Sequence, residues 1–147
     1  MESAINLIIK ERKKEVIKLL EHEMLDTAFV IAILGVEFIG ALFDDKPLRA
    51  DKQSSKRFKK GLRKGFPKFY GNPVIVEFLF KSVRCNVTHL GIGGNSAVFV
   101  EKHEEHLMLV NNTLLIHKPT FCGDYVQALN KVLRKIKEGE LKEKKGL

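Results

Sequence analysis

The sequence predicts a mainly α fold: an antiparallel helical bundle with one small antiparallel β-hairpin or meander before the last helix. Three observations point there. Apolar residues recur at spacings of three and four along several stretches, the mark of amphipathic helices. That period gives way to alternation only between residues 97 and 117, and then returns. A chain of 147 residues with 44% hydrophobic content can bury a core as one domain. We place this helical domain at 1–138 and read 139–147 as a charged tail that frays.

The first helix runs from near Ser3 to His22, with Ile5, Ile8, Ile9, Val16, Leu19 and Leu20 against a charged remainder. The second starts at an Asp26 cap, ends at Phe43 and is apolar nearly all round, as a central helix is. Its apolar run Ala28–Phe43 is too short for a membrane span, and Glu37 interrupts it, so no membrane partner is expected. Glu37 must find a partner or face a cleft, because an unpaired buried carboxylate is costly. The amino terminus lacks the order of a signal peptide. Cys85 and Cys122 stand far apart in no metal or redox spacing, which fits free thiols in a reducing cytoplasm.

Composition then shifts. Ten Lys or Arg and a single acid, Asp51, fall between Lys46 and Lys68. The opening DDKPLRADKQSS reads as a mobile loop, and Ser54 or Ser55 can cap a third helix. In that helix Phe58, Leu62 and Phe66 share one face, while Lys56, Arg57, Lys59, Lys60, Arg63 and Lys64 cover the rest. Gly61 and Gly65 each weaken it by about 1 kcal/mol relative to Ala. With a net charge of +8 and a pI near 9.5, unbalanced cations on one short helix point to a polyanion such as RNA, DNA or a membrane surface.

Asn72 and Pro73 open a further helix as side-chain cap and first-turn proline, and Gly91 closes it. Val76, Phe80, Val83, Val87 and Leu90 form its apolar stripe. Glu77, Lys81, Arg84, Cys85, Thr88 and His89 fall on the other side. Gly91–Ser96 reads as a turn, since no Lys-Ser/Thr follows it to cradle a phosphate. Strands are expected at 97–101, 106–110 and 113–117, the last two joined by Asn111-Asn112 in a tight hairpin turn. His103 and His106 read as exposed turn histidines without a third metal ligand. Thr120 or Asp124 begins the last helix, whose core stripe is Phe121, Tyr125, Ala128, Leu129, Val132 and Ile136.

The segment Arg84-Cys85-Asn86-Val87-Thr88-His89 has the Arg-x4-His spacing. Set late in a helix, with an apolar helix, an acidic loop and a basic helix before it and a hairpin and closing helix after it, it resembles the single-domain prokaryotic-type members of the HEPN superfamily. The resemblance implies metal-independent RNA cleavage by a homodimer whose motif faces meet across a twofold axis. It carries catalysis onto Arg84 and His89, with the next polar position usually assisting. Cys85 stands there in this chain, and Asn86 comes one place later. Glu37, Glu77 and Thr88 would support the site. No cofactor or metal is implied, and a protein partner such as an antitoxin is. The chemistry is coherent, since an imidazole exchanges protons near neutral pH and a guanidinium stabilises phosphate charge. Five positions along a helix turn through about 140°, so Arg84 and His89 converge only if the last turn loosens or two subunits share a cleft. The alternatives are a non-catalytic RNA- or nucleotide-binding module, and a helical interaction subunit of a toxin–antitoxin or defence system.

Overall fold

The computed structural model describes residues 1–86 and 97–144. Helix α1, Ala4–Glu21, is capped by the Ser3 hydroxyl, which accepts from the Asn6 N–H at 3.2 Å. It buries Ile5, Ile9 and Val16. Helix α2, Leu25–Phe43, begins one residue before Asp26. Asp26 therefore sits in the first turn, where its charge complements the helix dipole, and does not cap. At 19 residues and mean hydropathy 2.0, α2 is long and apolar enough to cross a membrane. Length does not exclude a span, contrary to the expectation, but 56% of its apolar window is buried inside the bundle, as a core helix requires.

Helix α3, Ser54–Lys64, crosses α2 at very close range. A methyl group at Gly40 would overlap the Arg57 backbone carbonyl, and one at Gly61 would overlap the carbonyl of Val36. Gly35 makes room in the same way for the Tyr125 phenol. Gly61, which looked like a weak point of α3, is thus what lets two backbones meet, while Gly65 follows the helix and faces the Ile39 side chain. Gln53 holds the cap position, so Ser54 and Ser55 lie inside the helix and neither caps it.

A 3₁₀ turn, Lys68–Gly71, leads into α4, Pro73–Phe78, where Asn72 Oδ1 accepts from the Val74 N–H at 2.9 Å. The helix then widens into a π-helical turn, Leu79–Arg84. A π turn takes more residues per turn than an α-helix, which moves the inward face off a strict 3.6-residue period. Ile75, Leu79 and Val83 are accordingly buried beside Val76, while Phe80 is only half-buried. Val87, Thr88, His89, Leu90 and the Gly91–Ser96 turn lie outside the described residues.

The three strands are β1, Ala97–Phe99; β2, Leu109–Val110; and β3, Thr113–Ile116. They form a mixed sheet of order β1-β3-β2 and not an antiparallel meander. The β2–β3 hairpin is as expected, with Asn111 and Asn112 at φ 49° and 60°. Strand β3 carries the buried pair Leu114 and Ile116, so it takes the centre, and β1 pairs with it in parallel. The connection from β1 to β2 contains a 3₁₀ turn at His103–Glu105, which carries the chain around to the far edge.

The closing helix α5, Lys118–Lys137, is capped by His117 and not by Thr120 or Asp124. Phe121, Tyr125, Ala128, Leu129 and Val132 are buried as expected. Phe121 joins Phe29 and Phe66 at ring-centroid distances of 5.3 Å each, which ties α5 to α2 and to the end of α3. The segment expected to fray instead turns back as far as it is described. Lys144 Nζ lies 2.7 Å from Asp44, and Leu141 packs on the core.

Gly61→Ala should lower stability by roughly 3 kcal/mol or more, because it overpacks a backbone contact that cannot yield. Gly123, in α5, has nothing within 4 Å of an added methyl group. Gly123→Ala should therefore raise stability by up to about 1 kcal/mol. Chemical denaturation of the two variants checks both signs.

Candidate functional site

The α2–α3 crossing brings Glu37 of α2 and Ser54 of α3 to the end of the π turn, where Arg84 sits. Arg84 Nη2 donates to Ser54 Oγ at 2.7 Å and forms an ion pair with Glu37. Its guanidinium carbon lies 5.8 Å from the centre of the Phe80 ring. The two side chains are 18% and 23% exposed, so the pair is half-sheltered and still open to solvent. Glu37 therefore has the partner its position demands.

Seven residues earlier, Glu77 receives Lys59 from α3 and Lys81 at 3.4 Å. The Lys59 hydrogen bond holds the Glu77 carboxyl below its usual range. Cys85 is a half-buried free thiol, and the Asn86 amide donates to the Ser82 carbonyl at 2.9 Å. The structure thus brings together Glu37, Ser54 and Arg84, with Glu77, Cys85 and Asn86 on the same helix as Arg84. Thr88 and His89 lie outside the described residues.

The basic helix is divided in use. Arg57 is 7% exposed and is not a nucleic-acid contact. Its guanidinium donates to Asp44 at 2.7 Å and to the carbonyls of Leu48 and Pro47 at 2.8 and 2.7 Å. Burial alone would raise the Asp44 carboxyl, but hydrogen bonds from Arg57, Lys144 and the Lys46 N–H outweigh it and bring it down to about 2. The loop read as mobile is thereby braced from inside. Lys59 is taken up by Glu77. Lys56, Lys60, Arg63 and Lys64 remain on the solvent side of α3, opposite the buried Arg57, Phe58, Gly61 and Leu62. Among the described residues no carboxylate forms an ion pair with any of these four.

A second polar cluster gave no signal in the sequence. Tyr70, fully buried after α3, lies with its hydroxyl 2.7 Å from His106 Nε2 and 2.6 Å from Asp124 Oδ2. His106 Nδ1 accepts the His117 N–H at 2.9 Å, so in the neutral ring the proton is on Nε2, which donates to Tyr70. Tyr70 in turn donates to Asp124. His106 and Asp124 are 36 and 54 positions from Tyr70, and no spacing rule links them. His106 is therefore a half-buried structural link and not an exposed turn residue, whereas His103 is exposed. With Tyr70 fully covered, the cluster joins the segment after α3 to the connection between β1 and β2 and to α5. Among the described residues no group of three His, Cys, Asp or Glu is placed to hold a metal.

Compared with known proteins, the chain matches no family model, no curated protein and no solved structure.

Burial, with help from His117, holds His106 down to about 4 from 6.5. The unfolded chain therefore binds more protons than the folded one between these values. Stability from this source is complete above pH 6.5 and is lost as pH falls toward 4. Burial pushes the Asp124 carboxyl the other way, which subtracts from the slope. Thermal melting of wild type should fall across that window, and His106→Gln should flatten the fall.

Proposed function

We propose that this chain is an RNA-binding protein of HEPN-like arrangement that cuts RNA without a metal, as a homodimer in the cytoplasm. The observation that carries the reading is the placement of the cations on the outer side of α3, of which Lys56, Arg63 and Lys64 are exposed and Lys60 is half-buried. Lys56, Lys60, Arg63 and Lys64 line the solvent side of the same helix whose Ser54 holds Arg84. A phosphate backbone lying along α3 would release counterions from that stripe and pass close to the sheltered Arg84–Glu37 pair.

In the proposed reaction a ribose 2′-hydroxyl attacks the adjacent phosphorus and the bond to the 5′-oxygen breaks. The products are a 2′,3′-cyclic phosphate and a free 5′-hydroxyl. His89 takes the proton of the attacking hydroxyl or returns one to the leaving oxygen. Arg84 stabilises the charge that builds on the phosphoryl oxygens. Glu37 holds the guanidinium in place before RNA arrives and shares it afterwards. Cys85, where a polar residue usually assists, leaves Arg84 and His89 as the two acting groups. A twofold axis beside this helix would let facing subunits complete each site, with a phosphate or Glu37 and Glu77 between the like charges.

Purified protein with chelator present should cleave single-stranded RNA, and His89→Ala and Arg84→Ala should each abolish cleavage. Light scattering should give a dimer at micromolar concentration. Removing Lys60, Arg63 and Lys64 together should lower the slope of log affinity against log salt by about 2, at roughly 0.7 per phosphate contact on a single strand. RNA bound with that slope and never cut would leave a binding module. Affinity indifferent to the triple variant would remove α3 from the site.

A further inference from the structure

Just beyond the basic stripe, the chain turns through Lys68–Gly71 and exposes an aromatic ring. Phe69 is 55% exposed. One face of its ring stacks on Tyr70, with centroids 4.9 Å apart and planes 28° from parallel. Tyr70 cannot move aside, because it is fully buried and its hydroxyl is held by His106 and Asp124. Phe69 is therefore a ring with a rigid backing.

A single exposed phenylalanine is ordinary on a protein surface. The surroundings of this one are not apolar. Lys68, immediately before it, is exposed, and α3 ends four residues before Lys68 with exposed Arg63 and Lys64. The Arg63 stem runs along the same turn, 3.8 Å from where a methyl group on Gly71 would lie. An aromatic face set among cations is the pattern that takes an unpaired base and its flanking phosphates. A duplex keeps its bases stacked on each other and offers no face to such a ring.

We propose that Phe69 is a base-stacking platform, and that the RNA this protein takes is single-stranded. An unpaired base lies on the open face of Phe69 while Arg63, Lys64 and Lys68 hold the phosphates on either side. This rests on the RNA-binding reading and adds to it the residue that selects a single strand over a duplex. It does not depend on cleavage. The rigid backing matters because a ring already fixed loses little freedom when a base stacks on it. The ring selects for an unpaired strand, and the site is indifferent to base identity because every base has a face to stack and the cations meet only phosphates.

The test uses a short unstructured RNA strand and the same strand annealed to its complement. Phe69→Leu should weaken single-strand binding by about tenfold to a hundredfold and leave duplex binding unchanged. Phe69→Tyr should retain wild-type affinity, and unchanged melting of the leucine variant shows that the fold is intact. The sequence contains no tryptophan, so Phe69→Trp places a single reporter at the platform. Its fluorescence should be quenched by the single strand and unaffected by the duplex. Equal affinity of Phe69→Leu and wild type for the single strand would overturn the platform while leaving RNA binding in place. An equal loss on both ligands would also overturn it, since stacking cannot account for a duplex effect. Absence of any RNA affinity in wild type would overturn both this inference and the reading beneath it.

Discussion

The crossing of α2 and α3 at Gly40 and Gly61 is the constraint on which the rest of the molecule depends. Without side chains at these two points the helix backbones approach until carbonyl groups lie where methyl groups would be. That approach sets Arg57 against Asp44 at the end of α2 and so organises the connecting loop. It also fixes the start of α3, and with it Ser54, beside Glu37. The site at Arg84 is consequently a product of backbone packing: three helices meet there because two of them were allowed unusually close.

The division of charge on α3 follows from the same geometry. Its cations look equivalent in sequence, but the close crossing turns Arg57 inward, where it must be paired and hydrogen-bonded to be tolerated. Asp44 and two carbonyls satisfy it. Lys59 faces α4 and meets Glu77. The acids that balance these two cations come from other elements, so a window of sequence that counts charges locally overstates the free positive charge. What is left is a narrower stripe of four side chains with one direction, which is a better phosphate track than an all-round basic helix.

Much of the fold was legible because it is written locally. The Asn72–Pro73 start of α4, the Asn111–Asn112 turn and the buried stripe of α5 each follow from residues a few positions apart. The strand order, the π turn and the caps of α3 and α5 were not legible, since they depend on which partner arrives from elsewhere. Ser54 illustrates this: a serine at a helix start is usually a cap, but Arg84 claims its hydroxyl instead. Of the site, the pairing of Glu37 could be anticipated from the cost of a lone buried carboxylate, though its partner could not be named. The Tyr70–His106–Asp124 link had no local signal at all, because it is made of three distant segments that only packing unites.

The proposed function requires that the solvent side of α3 and the neighbouring Arg84 site form one RNA surface. Titrating isotope-labelled protein with a short single-stranded RNA and following its backbone and arginine side-chain resonances tests this most directly. Shifts should concentrate at Lys56–Lys64, at Phe69 and at the Arg84 side chain, with little change at the β2 edge, Leu109–Val110. Shifts confined to the sheet or to α1, or no shifts at saturating RNA, would contradict it.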